Sequence, residues 1–133
     1  MNVIQFASLD IEKVLYLHVK IIEKAGGTQG IRDFTLLHSA LERPKASFGN
    51  TFLYPNLLHM AAALLHSLIM NHAFLDGNKR TAYEVTKYFL YENGFVIKAT
   101  SQEKVNFCLA VDNEGWQIKE IVDWFETHTV KIK

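Results

Sequence analysis

Several features that mark particular protein classes are missing from this sequence. A single cysteine, Cys108, stands among 133 residues within an apolar stretch, which argues against a disulfide framework. His59, His66 and Ser67 interrupt the longest apolar run, so no segment is long enough to cross a bilayer. The first residues also lack the charged start and the long apolar core of a secretory signal. These absences predict a soluble cytoplasmic protein with no membrane partner.

An excess of charge of one sign is missing as well. The 14 basic residues equal the 14 acidic residues, the formal net charge at pH 7 is zero, and no basic block stands out. A general nucleic-acid binder needs a cationic surface to neutralise phosphates. We therefore expect no direct nucleic-acid partner, while a locally charged site is compatible with this composition.

Apolar side chains are plentiful and recur mostly at helical spacing. They make up 49% of the chain, which suffices for one domain, residues 1 to 133, with a real core. The spacing predicts at least five helices and little strand, and hence an all-α fold built as a compact helical bundle. The predicted helix starts are Ser8-Leu9-Asp10, Asp33, Asn56 and Ser101, and the predicted ends are Gly26-Gly27, Pro44 and Asn93-Gly94. Residues 95 to 97 are predicted to be short and extended, and the simplest interpretation of Arg32 and Asp33 is a local ion pair.

A short aromatic segment, residues 45 to 55, precedes the most apolar predicted helix, residues 57 to 70. Because that helix is apolar on nearly every face, we expect it to run through the centre of the domain. Gly49-Asn50 predicts a tight hairpin turn in the aromatic segment. Phe52 and Tyr54 then have two interpretations. They belong to the core, or they form a flap before the central helix that pairs with an extended target segment.

The stretch from His72 to Arg80 combines residue types that a simple connection between helices does not need. Asp76-Gly77-Asn78 leads into the next predicted helix, whose first N–H groups make an anion pocket. Gly77 lacks a Cβ, so a phosphate can approach the main chain closely. Asn78 tolerates left-handed geometry or caps the helix with its side-chain oxygen, and Arg80 can grip phosphate oxygens.

Two other side chains of the stretch suit catalysis. Asp76 offers a hard oxygen ligand for a Mg²⁺ ion that keeps several waters and uses substrate phosphates as further ligands. His72 precedes it by four residues. An imidazole, with a reference pKa of about 6.5, can accept a hydroxyl proton near neutral pH. The residues therefore predict transfer of a phosphate group to an alcohol.

Each of these residues alone has a simpler structural interpretation. His72 alone would be a cation at a helix end, and Asp76-Gly77-Asn78 alone would be a turn followed by a helix cap. Lys79 and Arg80 alone would be surface charge. Their joint occurrence within nine residues favours a functional site.

The nine residues His72-Ala73-Phe74-Leu75-Asp76-Gly77-Asn78-Lys79-Arg80 resemble the Fic motif, His-x-Phe-x-Asp/Glu-Gly-Asn-Gly-Arg. The stretch resembles the death-on-curing (Doc) toxin branch of this family more closely, because it has a lysine at position 79. The similarity extends upstream to residues 26 to 33, residues 39 to 44 and Tyr54-Pro55, and downstream to residues 89 to 94. It covers most of residues 10 to 97.

The resemblance implies a compact helical Fic/Doc domain that uses ATP and Mg²⁺. In such a domain His72 would be the general base and Asp76 would hold Mg²⁺. Phe74 would anchor the loop in the core. The residues around the nucleotide phosphates would be Gly77, Asn78, Lys79 and Arg80.

Two reactions are implied by the resemblance. Typical Fic enzymes move AMP from ATP onto a Ser, Thr or Tyr hydroxyl, whereas the Doc branch moves the γ-phosphate to elongation factor Tu and halts translation. Lys79 replaces the second glycine of the adenylylating motif, and Tyr83 stands where its second arginine would be. Both departures favour a Doc-like kinase acting on a Ser or Thr hydroxyl. Gly77 matches the Fic pattern, where the Doc toxin has alanine, so AMP transfer stays an alternative.

Regulation also follows from the resemblance. Self-inhibited Fic proteins carry a helix reading Ser/Thr-x-x-x-Glu-Gly/Asn, and the nearest match here, residues 8 to 12, is followed by Lys13. The resemblance to Doc therefore implies a separate antitoxin, which would order a segment along an exposed apolar groove. A non-catalytic antitoxin- or nucleotide-binding module is a further alternative, and the intact His72 and Asp76 argue against it.

Overall fold

Helices dominate the chain, and the longest apolar helix lies at their centre. The computed structural model describes residues 6–132. These residues form six helices: α1 (Ile11–Ala25), α2 (Phe34–Glu42), α3 (Leu57–Asn71), α4 (Asn78–Glu92), α5 (Ser101–Asn113) and α6 (Ile118–His128). Their strands are short and make two antiparallel pairs: β1 (Ser47–Phe48) with β2 (Thr51–Phe52), and β3 (Phe95–Ile97) with β4 (Thr129–Lys131). The all-α fold predicted from the sequence is confirmed.

Helix α3 is the central element of the core, as its composition predicts. It contacts α2, α4, α5 and α6, and Met60, Leu64, Leu65 and Ile69 on it are fully buried. Three consecutive small residues, Ala61–Ala63, are also fully buried and let neighbouring helices come close. Burying each large aliphatic side chain stabilises the fold by about 1.5–3 kcal/mol. The helix therefore supplies much of the hydrophobic stabilisation of the domain.

Most helix boundaries follow the predicted caps. The side chains of Asp10, Asp33 and Asn56 each accept a hydrogen bond from a backbone N–H in the first turn of α1, α2 and α3. Gly26 ends α1 with a φ of 87°. The N-cap of α5 is one residue earlier than predicted. Thr100, not Ser101, is the N-cap, because its hydroxyl and the Glu103 carboxylate make a reciprocal capping box.

The aromatic segment before α3 forms the predicted hairpin. Gly49-Asn50 connects β1 to β2, and Gly49 has a φ of 64°. A short 3-10 helix, Arg43–Lys45, joins α2 to this hairpin, so the helical turns end close to the predicted Pro44. On the hairpin and the segment after it, Phe52 packs against the core, whereas Phe48 and Leu53 are exposed.

The second strand pair was predicted only in part. The extended run at Phe95–Ile97 was expected, but its partner, Thr129–Lys131, was not. The pair is antiparallel, and the N–H of Ile132 donates to the Gly94 carbonyl over 2.7 Å. This pairing ties the segment after α6 to the end of α4.

Within residues 6–132, no helix combines the length and the apolar character needed to cross a bilayer.

The central position of α3 predicts a large cost for truncating its buried side chains. Leu64→Ala, at a fully buried position, should lower the free energy of unfolding by about 2–5 kcal/mol because it leaves a cavity. Urea denaturation measures this value. The control is Met70→Ala on the same helix, where the side chain is exposed, and it should cost about 1 kcal/mol or less. Equal losses in the two variants would contradict the central role of α3.

Candidate active site

The loop between α3 and α4 begins at His72, which adopts a left-handed conformation. Its φ of 47° and ψ of 51° end α3, and no other non-glycine residue among the described ones has a positive φ. The Arg32 guanidinium donates from Nε to the His72 carbonyl over 2.6 Å and from Nη2 to the Asn71 carbonyl over 2.9 Å. Arg32 thus satisfies carbonyls at the end of α3 rather than pairing locally with Asp33. The His72 side chain itself is exposed.

Phe74 anchors the loop in the core, as the resemblance implies. Its side chain is only 2% exposed and stacks on the imidazole of His18, with ring centroids 3.9 Å apart. Its backbone N–H donates to Asn78 Oδ1 over 2.9 Å, and its carbonyl accepts from Asn78 Nδ2 over 3.0 Å. An isolated bridge between Ile31 and Phe74 attaches the loop to the segment before α2.

Asn78 neither caps α4 nor adopts left-handed geometry, which corrects both sequence-based interpretations of it. Gly77 occupies the N-cap position with a φ of 76°, and Asn78 is the first residue of the helix. A Cβ on residue 77 would lie 2.9 Å from Ile22 Cδ1, so both space and conformation favour glycine. The Asn78 side chain is therefore free to bind the backbone of Phe74.

Asp76 is held through both its backbone and its side chain. Its carbonyl accepts a hydrogen bond from His18 Nε2 over 2.9 Å, and its Oδ2 accepts from the Thr28 N–H over 2.7 Å. No donor from residues 6–132 reaches Oδ1, and the residue is exposed. One oxygen of this exposed side chain thus has no donor among the described residues, while the position of the carboxylate is set by two segments distant in sequence.

The carboxylate of Asp76 suits a Mg²⁺ ion whose other ligands are mainly water and substrate oxygens. In the described part of the chain, no three His, Cys, Asp or Glu side chains come together as a metal site. A single exposed carboxylate is compatible with Mg²⁺, which keeps several waters and takes further oxygen ligands from phosphates. It does not suit a metal that needs several protein ligands.

The N-terminus of α4 faces the same region and is open. The first N–H groups of a helix have no intrahelical partners, and within residues 6–132 no side chain caps them in α4. The partial positive charge there favours an anion. Arg80 is exposed, whereas the Lys79 Nζ lies 3.2 Å from Asp112 Oδ2 on α5. The two predicted cations therefore differ, because among the described residues only Lys79 is paired with a carboxylate.

A cleft of about 330 Å³ continues from this N-terminus between α4 and α5. Burial is the main cause that raises the pKa of Tyr83 to about 12 and the pKa of Cys108 to about 11, so both groups are neutral at physiological pH. The Lys104 ammonium lies 5.2 Å from the centre of the Tyr83 ring. The sequence alone did not indicate the contribution of α5, because its residues join the cleft only through tertiary packing.

The flap residues predicted for target docking face inward. Tyr54 accepts a hydrogen bond at its hydroxyl from Arg43 Nε over 2.9 Å. The same guanidinium lies 2.7 Å from Ser67 Oγ and 3.1 Å from His66 Nδ1 on α3. Phe52 is partly buried against the core. Both side chains thus connect the flap to the domain, and target docking by the flap stays a prediction.

The loop and the segments that hold it match a known protein family. The model of the Fic/DOC family matches residues 8–90, which is more than half of the chain. This chain belongs to the Fic/DOC family. It is also 47% identical over 74 residues to "Toxin Doc" of Mycolicibacterium smegmatis. That match covers 56% of this chain and 57% of the toxin's length.

Membership of the Fic/DOC family agrees with the way the loop is built. The matched range includes His18, Thr28 and Arg32 upstream as well as the loop itself. It ends within α4, so the contribution of α5 to the cleft lies outside the family match. The structure brings His72, Asp76 and the first turn of α4 into one loop region, while Phe52 and Tyr54 lie on the flap.

Asn78 should be important for stability because it holds both backbone polar groups of a buried residue. Asn78→Ala leaves the Phe74 N–H and carbonyl without these partners, so the free energy of unfolding should fall by about 1–3 kcal/mol. Urea denaturation tests this. Asn113→Ala, at an exposed position at the end of α5, is the control and should change stability by about 0.5 kcal/mol or less. A loss no larger than in the control would contradict this role.

The network under the flap predicts a pH dependence. Burial, and then the positive charge of Arg43, lower the pKa of His66 below its ordinary value of 6.5. The unfolded chain therefore takes up this proton more readily than the folded chain, and stability falls as pH decreases through the ordinary histidine pKa.

Thermal unfolding at about pH 7.5 and about pH 5.5, on either side of that pKa, measures the effect. His66→Asn keeps an acceptor for Arg43 but does not titrate, so its melting temperature should fall less on acidification than that of the wild type. His59→Asn removes a histidine outside the network and is the control. If the control lessens the acid effect as much as His66→Asn does, the assignment to His66 is wrong.

Proposed function

We propose that this chain is a Doc-like toxin that transfers the γ-phosphate of ATP to a Ser or Thr hydroxyl of a protein target. The observation that carries the proposal is the open N-terminus of α4, which lies in the same loop region as the exposed His72 and Asp76. By the resemblance to the Doc branch, the target is elongation factor Tu and the consequence is inhibition of translation. The similarity to the toxin of Mycolicibacterium smegmatis supports the toxin role.

The phosphates of ATP would bind at the N-terminus of α4. The open N–H groups of the first turn, beginning at Asn78, suit phosphate oxygens, and Gly77 has no side chain to obstruct them. The exposed guanidinium of Arg80 can bind two phosphate oxygens at once. Lys79 would add positive charge, although its pairing with Asp112 places its ammonium towards α5.

His72 would act as the general base. Its exposed imidazole accepts the proton of the target hydroxyl, and the hydroxyl oxygen forms a bond to the γ-phosphorus. The bond from that phosphorus to the bridging oxygen breaks, and ADP leaves with the oxygen and its electron pair. Mg²⁺, when bound at Asp76, would neutralise phosphate charge. Arg32 helps to hold His72 in place by binding its carbonyl.

Two observations support γ-phosphate transfer over AMP transfer. Position 79 carries a lysine, whose ammonium pairs with Asp112 on α5. The glycine that the adenylylating motif has at this position would leave the main chain open to phosphate. Tyr83 is buried and neutral at physiological pH, so it supplies no second positive charge to the nucleotide. AMP transfer is the second candidate, because Gly77 in left-handed geometry matches the adenylylating motif at its first glycine.

The proposal includes a cytoplasmic site of action and a partner antitoxin. The relative in Mycolicibacterium smegmatis is named as a toxin, and the Doc branch is neutralised by a separate protein. An antitoxin segment would gain affinity by covering apolar side chains on this domain. The other alternative, a non-catalytic binding module, predicts binding of nucleotide or antitoxin without any transfer.

The deciding experiment uses ATP labelled at either the α- or the γ-phosphate. Purified protein is incubated with cell lysate and Mg²⁺, and labelled proteins are separated by size. We expect label from the γ-position alone, on a band at the size of elongation factor Tu, because the transferred group is the terminal phosphate. His72→Ala should abolish it, since removing a general base lowers the rate by about a hundredfold or more.

The matched control is His38→Ala, which removes an exposed histidine from α2 and should leave the labelling unchanged. Label from the α-position would establish AMP transfer instead. Absence of label from both positions would favour the non-catalytic module.

A further inference from the structure

His18 is a buried histidine that the proposed reaction does not use. Its side chain is 3% exposed, and it lies in α1, 58 residues before Asp76 in the chain. The other buried polar side chains within residues 6–132 are Ser67, Thr81 and Thr86, none of which carries an imidazole. Burying a polar ring in an apolar core is unfavourable unless it is hydrogen-bonded.

The imidazole contacts the active-site loop in two separate ways. Its face stacks on Phe74, with an interplanar angle of 12°. Its edge places Nε2 2.9 Å from the carbonyl oxygen of Asp76. Because a carbonyl oxygen can only accept, Nε2 carries the proton of this hydrogen bond. The ring contact belongs to the core, whereas the hydrogen bond reaches the proposed site.

The accepting carbonyl belongs to the peptide group between Asp76 and Gly77. Fixing this carbonyl therefore fixes the direction of the Gly77 N–H and the start of α4. It also fixes the Cα of Asp76, from which the carboxylate extends. The Thr28 N–H holds the same carboxylate at Oδ2, so the backbone and side chain of Asp76 are positioned by different segments.

We propose that His18 is a positioning residue, whose Nε2–H holds the Asp76–Gly77 peptide so that the Asp76 carboxylate faces the nucleotide phosphates and their Mg²⁺. The effect on nucleotide and Mg²⁺ binding rests on the proposed function, whereas the positioning of Asp76 rests on the geometry of the loop alone. His18 does not touch the substrate. It acts through Asp76, and the hydrogen bond rather than the ring is the part that matters for the site.

Two substitutions separate the hydrogen bond from the ring. His18→Phe keeps an aromatic ring of similar size against Phe74 and removes the donor. His18→Gln removes the ring but keeps an N–H at a similar distance from the backbone. Val14→Ala shortens a fully buried side chain on the same helix and is the control for a general loss of stability.

The first measurement needs no ligand. The Thr28 amide proton is hydrogen-bonded to Asp76 Oδ2, so its exchange with solvent, followed by NMR, reports the position of that carboxylate. We expect exchange to be about tenfold faster in His18→Phe than in the wild type, the effect of about one hydrogen bond. In His18→Gln and in Val14→Ala, it should stay within about twofold. Unchanged exchange in His18→Phe would overturn the proposal.

The second measurement is the binding of ATP by calorimetry, with Mg²⁺ and without it. His18→Phe should weaken binding about tenfold with Mg²⁺ and much less without it, because only the Asp76 ligand is displaced. His18→Gln should restore Mg²⁺-dependent binding. A loss that is the same with and without Mg²⁺, or a larger loss in His18→Gln than in His18→Phe, would overturn the proposal in favour of simple packing.

The two measurements separate this inference from the proposed function. If the wild type binds no ATP and transfers no label, the proposed function fails. The positioning of Asp76 by His18 is then decided by Thr28 exchange alone. If the wild type binds ATP and His18→Phe behaves like the wild type in both measurements, His18 has no positioning role, while the proposed function still holds.

Discussion

The burial of Phe74 is the constraint on which the loop region depends. An aromatic ring with 2% exposure draws the chain into the core between two helix ends, and its backbone groups must then find partners inside the protein. The side chain of Asn78 supplies both. His18 supplies a stacking surface for the ring. Phe74 lies between His72 and Asp76 in the chain. Because its ring is fixed in the core, these two exposed residues are held close to the surface.

This arrangement explains how a nearly all-apolar central helix can serve a polar site. The polar groups lie at helix ends rather than on the faces of α3, so they do not compete with core packing. His72 ends α3, and the open N–H groups begin α4. A local positive potential arises there from the helix N-terminus and Arg80 although the whole chain has no net charge. The neutral composition therefore says little about the site itself.

Local signals in the sequence predicted the helices well and the partners of the site residues poorly. The caps Asp10, Asp33 and Asn56 could be predicted because a cap involves only residues within one helical turn. The β4 strand was missed because its partner, β3, is more than thirty residues away along the chain. Arg32 looked like half of a local ion pair, but it reaches the end of α3 instead.

The sequence by itself determined the helical class, the central helix and the identity of the nine-residue motif, because helical periodicity, composition and motif spacing are written along the chain. Only the tertiary structure decided how the motif is held. It showed that Gly77 rather than Asn78 turns the chain, that Lys79 pairs with Asp112, and that α5 completes the cleft. The contacts with Asp112 and α5 join residues distant in sequence, and they form only when burial of the core brings the helices together.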